Sequence, residues 1–174
     1  VDILVANAGA AASGPFDKTE RATWDAMLAV NLTGVWRTMK AAVPQMISAG
    51  NGGSIINISS VAGIKSLPGQ AHYSAAKHGV VGLTKSAAIE LAEYKIRVNS
   101  IHPWGVDTVL AADPTVGTLL TDHPSYLMSF GCMLSAPFPA SVDDISDAVI
   151  YLASDLSRAV TATQLTVDMG ATKV

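Results

Sequence analysis

Short apolar runs rich in β-branched residues, separated by long helical stretches, constrain the fold of this 174-residue chain most strongly. They lie at about 2–6, 54–59 and 96–101, and a further run lies at about 164–168. Residues 3–6 of the first run are an unbroken series of apolar residues, which suits a strand buried on both faces of a sheet. Strands that alternate with long helices predict an α/β fold with a parallel sheet and right-handed crossovers.

Long helices are predicted between these strands. The first spans about 20–49, and we expect Pro44 to bend or interrupt it because proline removes a backbone donor. The glycine-rich stretch 50–53 should end this helix. A second helix is predicted over about 71–94, and the stretch 141–152 opens with a capping-box pattern that predicts another.

The composition is apolar for a chain of this length. Hydrophobic residues make up 49% and charged residues only 14%, where soluble domains average about 25% charged. A chain this apolar is not expected to be disordered. We expect subunit contacts or residues outside this sequence to cover the excess apolar surface. The chain also opens, without an initiator methionine, on the strand at 2–6, so we expect a preceding segment to be missing.

Charge and cysteine content exclude several classes of partner. The formal net charge is −3 and no block of lysine and arginine occurs, so nucleic acid is not expected as a main partner. No apolar run approaches the ~20 residues of a membrane span. Cys132 is the only cysteine and cannot form an internal disulfide, which favours a cytoplasmic protein.

In parallel α/β sheets the ligand crevice lies beyond the carboxyl ends of the strands. The segments 7–14, 59–70 and 102–139 follow predicted strands and are therefore expected to carry the chemistry. We predict an irregular structure for residues 102–140, and loops of this length are usually functional.

Tyr73 and Lys77 are four residues apart on a predicted helix, so they share a face. An ammonium beside a phenol favours the phenolate and lowers the pKa of the tyrosine. Such a pair can donate and accept protons near neutral pH. A solvated surface pair is the alternative interpretation.

Ser60 and Asn31 are the other polar candidates. Ser60 ends the second strand, where its hydroxyl could bind a carbonyl oxygen that Tyr73 protonates, or simply form a strand-end turn. Asn31 lies in an apolar helical stretch, where asparagine is a poor helix former and is costly to bury without partners. A hydrogen-bonded structural asparagine is the alternative there.

The tripeptide 7–9 follows the first strand with small residues that let a flat ligand approach the backbone. No metal-binding spacing occurs among the histidines, and a packed or solvated role is expected for each of them: His72, His78, His102 and His123.

Taken in order, these motifs resemble the short-chain dehydrogenase/reductase family, whose members are NAD(P)-dependent oxidoreductases. The resemblance covers almost the whole chain, and two stretches, 72–83 and 102–108, look most like the mycofactocin-coupled, carveol-dehydrogenase-like branch. The matching motifs are Asn7-Ala8-Gly9, Asn31, Asn57-Ile58-Ser59-Ser60, Tyr73-Ser74-Ala75-Ala76-Lys77, Ile96-Arg97-Val98-Asn99-Ser100-Ile101-His102-Pro103 and Val167-Asp168-Met169-Gly170.

The resemblance implies a Rossmann-like, doubly wound parallel sheet, with residues 1–174 as one partial domain. The family's glycine-rich phosphate turn, TGxxxGxG, and its first βαβ units have no counterpart in this sequence. Because that turn holds the pyrophosphate, we expect the 174-residue chain alone to bind NAD(P) weakly or not at all.

The resemblance also implies roles for the catalytic candidates. Tyr73 is the general acid/base, and Lys77 lowers its pKa and binds the nicotinamide ribose. Ser60 orients the substrate oxygen. Asn31 holds a helix backbone and a water that links Lys77 to solvent.

The implied cofactor is NAD or NADP, with NAD favoured. Its adenine-ribose side would be lined by Asn7, Ala8 and Gly9, and its nicotinamide would be flanked by Pro103, Val106 and Thr108. Trp104 either shapes the nicotinamide pocket or packs within its loop.

The expected reaction interconverts a secondary alcohol and a ketone. Apolar residues in the covering segment 102–140 favour a terpenoid or steroid over a sugar; they are Leu110, Leu119, Leu120, Tyr126, Leu127, Met128, Phe130, Met133, Leu134 and Phe138. Reduction of a 3-oxoacyl thioester is the alternative reaction.

The second class of interpretation is a catalytically silent fragment that acts only in an assembly. Small residues on the helix after Tyr73 permit close helix contacts, and the resemblance implies a homotetramer.

Overall fold

The computed structural model describes residues 1–136 and 138–174. Its strands form a parallel sheet in the order β1-β2-β3-β4. The strands are β1 (Ile3–Ala6), β2 (Gly53–Ile58), β3 (Ile96–Pro103) and β4 (Gln164–Val167). The predicted α/β parallel fold is confirmed.

Helices cover both faces of the sheet because neighbouring strand residues point to opposite sides. On one face Ile55 and Val98 pack in a core shared with two long helices. On the other face Ile56 and Ile101 pack against Leu152. The helices are α1 (Arg21–Leu28), α2 (Gly34–Ala49), α3 (Ala71–Leu91), α4 (Pro114–Asp122) and α5 (Val142–Ala153).

The predicted helix over 20–49 is interrupted, but not at Pro44. A π-helical turn at Ala29–Thr33 separates α1 from α2, whereas Pro44 lies inside α2. The side-chain amide of Asn31 donates to the Met27 carbonyl oxygen at 3.1 Å, and side-chain insertion of this kind disturbs the helical ladder. Pro44 has no N–H with which to donate to the Lys40 carbonyl oxygen. Both residues are exposed, so water can donate to that oxygen instead.

The other predicted helix ends agree with the structure. Gly50 takes a left-handed conformation (φ 70°) at the end of α2, which suits glycine. A 3-10 turn at Ala92–Tyr94 prolongs α3 to the predicted end. Ser141 and Asp144 form the predicted capping box at the start of α5.

The prediction that the first strand is buried on both faces is wrong within these residues. β1 pairs with β2 and lies at the edge of the described sheet, and its Ile3 and Val5 are 50% and 39% exposed. The interior strand β2 is buried from Ser54 to Asn57, because it has a neighbouring strand on each side.

The segment 102–140 is not irregular throughout. β3 extends to Pro103, and α4 and two 3-10 turns follow, at Val109–Ala112 and Pro124–Phe130. Asp113 caps α4 by accepting from the Thr115 N–H at 2.9 Å. Pro137, one of the prolines that suggested a loop, lies outside the described residues.

The loop after β3 is closed at its base by backbone hydrogen bonds. The Ala140 N–H donates to the Gly105 carbonyl oxygen at 2.9 Å, and the Asp107 N–H donates to the Ala140 carbonyl oxygen at 2.9 Å. These bonds hold the two ends of the loop next to each other. In the part of the chain that is described, no helix is both long and apolar enough to cross a membrane.

Candidate active site

A cleft of about 1460 Å³ lies at the carboxyl ends of the strands, beneath the loop that follows β3. It brings together almost all the residues that the sequence singled out. The predicted site residues that line it are Asn7, Ala8, Gly9, Ser60, Tyr73, Lys77, Pro103, Val106 and Thr108.

Ser60 is placed by the end of β2 and the turn that follows. Its Oγ accepts a hydrogen bond from the Ala62 N–H at 3.1 Å, which begins a 3-10 turn at Val61–Gly63. Ser60 therefore forms the predicted strand-end turn and also lines the cleft. This acceptor role does not use the hydroxyl hydrogen, which Ser60 can donate to the Tyr73 oxygen or to a ligand oxygen in the cleft.

Lys77 is buried on α3, with 3% of its surface exposed. Its Nζ donates to the Ile58 carbonyl oxygen at 3.0 Å and lies 5.5 Å from the centroid of the Tyr73 ring. An ammonium carries three donors, so two remain for a ligand. Burial lowers the pKa of Lys77 to about 8. The sharing of a helix face by Tyr73 and Lys77 is confirmed, whereas the alternative of a solvated surface pair is wrong.

Burial raises the pKa of Tyr73, and a hydrogen bond with the Ser60 side chain opposes this effect. The expected lowering of the Tyr73 pKa by Lys77 is therefore not what the structure shows. The lysine ammonium lies over the ring, and its hydrogen bond goes to Ile58. Ser60 supplies the opposing interaction instead.

Asn31 does not line the cleft but lies directly behind its wall. Its amide donates to the Ala10 carbonyl oxygen at 2.9 Å, and its Oδ1 accepts from the Ala10 N–H at 3.2 Å. A Cβ atom on Gly9 would lie 3.1 Å from Asn31 Oδ1 and 3.8 Å from Lys77 Nζ. Asn31 is thus a hydrogen-bonded buried asparagine that holds the loop after β1 against the site.

Trp104 packs within its loop, which was one of the two alternatives that the sequence left open, and a role at a nicotinamide stays a prediction. Trp104 lines the cleft, and it packs against Phe130 with ring centroids 5.8 Å apart. Phe130, Leu110, Leu127 and Phe138 also line the cleft from the covering segment. The other apolar residues noted in that segment do not line it: Leu119, Leu120, Tyr126, Met128, Met133 and Leu134.

Sequence reasoning missed two features of the site. α5 contributes a further apolar wall through Val142, Ile145, Val149 and Ile150. His102 is fully buried and its ring contacts the backbone of Ser60. The position of His102 at the end of a strand could have signalled this contact. Within the described residues, no three His, Cys, Asp or Glu side chains cluster as a metal site.

Comparison with known proteins agrees with this geometry. An NAD-dependent oxidoreductase of Mycobacterium tuberculosis is 48% identical in an alignment of 174 positions that covers 99% of this chain and 63% of the relative. The (−)-trans-carveol dehydrogenase of Rhodococcus erythropolis is 41% identical in an alignment of 183 positions, gaps included, that covers 99% of this chain and 65% of the relative. The chain thus spans less than two thirds of the length of these relatives.

A solved structure gives the same result for the fold. The short-chain dehydrogenase of Mycobacterium paratuberculosis bound to NAD matches with a TM-score of 0.96 at 42% identity. That match covers 100% of this chain and 65% of the other. The expected Rossmann-like sheet is confirmed, and the resemblance to carveol dehydrogenases is confirmed by the relative from Rhodococcus.

The family model described as enoyl-(acyl carrier protein) reductase matches residues 1–172. Since this match and the relatives above cover nearly all of the sequence, the chain belongs to the short-chain dehydrogenase/reductase family.

Proposed function

We propose that the protein interconverts an apolar secondary alcohol and its ketone with NAD as the hydride carrier. The observation that carries this proposal is the convergence of Ser60, Tyr73 and Lys77 at one wall of the cleft. These residues bring a buried phenol, a buried ammonium and a hydroxyl that faces the cleft to one place. Such groups are suited to proton transfer at an alcohol oxygen.

The residues present fit the ribose and nicotinamide half of NAD. Among the described residues, two N–H groups of the Lys77 ammonium have no acceptor, and they suit the hydroxyls of a ribose. Gly9 lies close to that ammonium, and a Cβ there would be in tight contact with Asn31 Oδ1 at 3.1 Å. NAD, when bound, would supply hydride acceptance and donation at the carbinol carbon. Pro103, Val106 and Thr108 would flank its nicotinamide.

Tyr73 would move the proton. During oxidation its phenolate oxygen would take the proton of the substrate hydroxyl, while the hydride of the carbinol carbon would go to NAD; during reduction the phenol would return that proton to the carbonyl oxygen. Ser60 donates a hydrogen bond to the same oxygen and holds it in place. Before the substrate binds, the Ser60 hydroxyl stabilises the phenolate form of Tyr73 by a hydrogen bond, and the Lys77 ammonium, which lies over the ring, would bind the ribose hydroxyls.

Apolar side chains at the mouth of the cleft favour an apolar substrate. Leu127 and Phe138 are 63% and 56% exposed although both line the cleft. Covering such surface releases about 25 cal/mol for each Å² removed from water. With Trp104 and Phe130 behind them, these residues suit an alicyclic alcohol such as a terpenoid or a steroid.

We also propose a cytoplasmic homotetramer. Support comes from the exposed positions on α3, where Ala75 and Gly82 are small and Ile89 is 78% exposed. A Cβ on Gly82 would meet nothing within 4 Å, so this face is open to a close neighbour.

A second candidate function is that of a catalytically silent chain. It rests on the glycine-rich phosphate turn, which has no counterpart among these 174 residues. We expect calorimetric titration of the 174-residue chain to show weak or no NAD binding, and micromolar binding would contradict this.

The proposed reaction is tested with the full-length gene product. NADH formation is followed by its absorbance with alicyclic alcohols, sugars and 3-hydroxyacyl thioesters as substrates. We expect turnover with the alicyclic alcohols and with NAD in preference to NADP. Turnover of sugars alone would contradict the apolar substrate, and turnover of thioesters alone would favour 3-oxoacyl reduction.

A further inference from the structure

We propose that His102 is a positioning residue that holds Ser60 in its working orientation through the Ser60 carbonyl. This inference rests on the function proposed above, in which the Ser60 hydroxyl binds the substrate oxygen. His102 itself touches neither the substrate nor the cofactor in this proposal.

The hydrogen bonds of His102 define its tautomer. Its Nδ1 lies 2.7 Å from the Ser60 carbonyl oxygen, and its Nε2 lies 2.9 Å from Ser100 Oγ. A carbonyl oxygen can only accept, so Nδ1 carries the hydrogen and Nε2 accepts from the serine hydroxyl. The ring is fully buried, and burial lowers its pKa, which agrees with a neutral imidazole.

The Ser60 carbonyl is fixed from two directions. It accepts from the Gly63 N–H at 2.9 Å and from the imidazole at 2.7 Å. The first bond belongs to the turn at Val61–Gly63. The second ties this turn to β3. The peptide that carries Ser60 therefore cannot rotate without breaking a buried hydrogen bond.

The sheet itself does not provide this tie. The last paired residues of β2 and β3 are Ile58 and Ile101, and the Ser59 N–H donates to the Ile101 carbonyl oxygen at 2.8 Å. Pro103 has no N–H with which to extend the ladder toward β2. The imidazole of His102 thus supplies a connection at the point where backbone pairing between these strands stops.

Two substitutions separate positioning from packing. In His102→Asn the amide nitrogen reaches about the place of Nδ1 and can still donate to Ser60. In His102→Leu the volume is filled but no donor remains. We expect His102→Leu to lower kcat roughly tenfold or more, with the KM for NAD nearly unchanged. We expect His102→Asn to retain most of the kcat.

A packing role predicts the opposite order, because leucine fills an apolar space better than asparagine. Equal losses in the two variants, or a greater loss in His102→Asn, would therefore overturn the proposal. If His102→Leu does not fold, His102→Gln replaces it in the same comparison. The glutamine amide reaches toward the place of Nε2, so we expect the same loss of kcat from it.

A double-substitution cycle tests whether His102 acts through Ser60. In a Ser60→Ala background, replacing His102 by Leu should lower the residual kcat less than twofold, since coupled residues are not additive. A full further loss in that background would show that His102 acts by another route, and would overturn the proposal.

Crystal structures of the variants keep this proposal separate from the proposed function. We expect the Ser60 hydroxyl to turn away from Tyr73 in His102→Leu and to stay in place in His102→Asn. An unmoved Ser60 in His102→Leu would overturn the positioning role. If the wild-type full-length protein oxidises no alcohol, the proposed function fails, and these structures still decide whether His102 holds Ser60.

Discussion

The side chain of Asn31 pairs with the backbone of Ala10 through two hydrogen bonds, of 2.9 Å and 3.2 Å. An asparagine amide thus behaves here like the edge of a strand, donating to the carbonyl oxygen and accepting from the N–H of one residue. The pair joins the π-helical turn at Ala29–Thr33 to the loop that follows β1. The cleft wall at Gly9 depends on this connection.

Removing the Asn31 amide should destabilise the protein and the site together. Asn31→Ala leaves both backbone groups of Ala10 without this partner at a fully buried side chain. We expect the free energy of unfolding to fall by about 3 kcal/mol, the upper part of the range for buried hydrogen-bond loss. Urea denaturation measures this change. Asn51→Ala at an exposed bend is the matched control, and an equal effect there would contradict the role.

Adding a methyl group at Gly9 should weaken cofactor binding. The new Cβ would lie 3.1 Å from Asn31 Oδ1, so the two groups must separate by a few tenths of an ångström. We expect NAD to bind about tenfold more weakly to Gly9→Ala of the full-length protein, which corresponds to ~1.4 kcal/mol. Isothermal titration measures the Kd. Gly14→Ala in the same loop is the control, because a Cβ there meets nothing within 4 Å. Equal affinities of the two variants would contradict the prediction.

The buried ammonium of Lys77 should make stability depend on pH in the alkaline range. Its pKa falls from 10.5 to about 8 on folding, so between these values the unfolded chain binds more protons than the folded one. The free energy of unfolding therefore rises with pH across this window. Across this window we expect the free energy of unfolding of the wild type to rise by about 3 kcal/mol more than that of Lys77→Met.

Urea denaturation at pH values at both ends of that window measures the difference. Lys85→Met, an exposed position on the same helix, is the control and should show the pH dependence of the wild type. A Lys77→Met variant with the same pH dependence as the wild type would argue against a shifted Lys77.

Removing the Tyr73 hydroxyl should abolish proton transfer but not folding. We expect Tyr73→Phe of the full-length protein to lose about 10²–10⁴ in kcat, the usual contribution of a general acid/base. NAD binding should change little. Steady-state kinetics and titration measure both quantities. Tyr126→Phe, a tyrosine outside the cleft that stacks on His123, should keep its activity. Retained turnover in Tyr73→Phe would exclude its role.

A bulky charge on the open face of α3 should dissociate the proposed tetramer. Gly82 is exposed and a Cβ there has free space, so Gly82→Arg does not strain the subunit itself. We expect light scattering after gel filtration to report a smaller assembly for this variant. Lys85→Arg, which keeps the charge at a nearby exposed position, is the control. An unchanged mass for Gly82→Arg would place the interface elsewhere.

The alternation of apolar strands and helices was readable from sequence because it depends on local periodicity. The strand positions, the glycine end of α2 and the capping box at Ser141 all follow from nearest neighbours along the chain. The spacing of Tyr73 and Lys77 on α3 is equally local, and their shared face is confirmed.

Features that depend on a contact with a distant part of the sequence could not be predicted from local patterns. Pro44 carries the stronger local signal for a helix break, yet the break lies at Ala29–Thr33, where Asn31 bonds across to Ala10. The exposure of Ile3 depends on its edge position in the sheet, which its own residue type does not define.

The sequence by itself determined which chemical groups this protein carries and on which elements they lie, because residue type and periodicity are local properties. Only the tertiary structure decided how those groups are used. It placed the Lys77 ammonium against the Ile58 carbonyl oxygen and joined the His102 imidazole to Ser60. Burial and long-range hydrogen bonds arise when distant segments pack together, and these interactions set the protonation and orientation of the site.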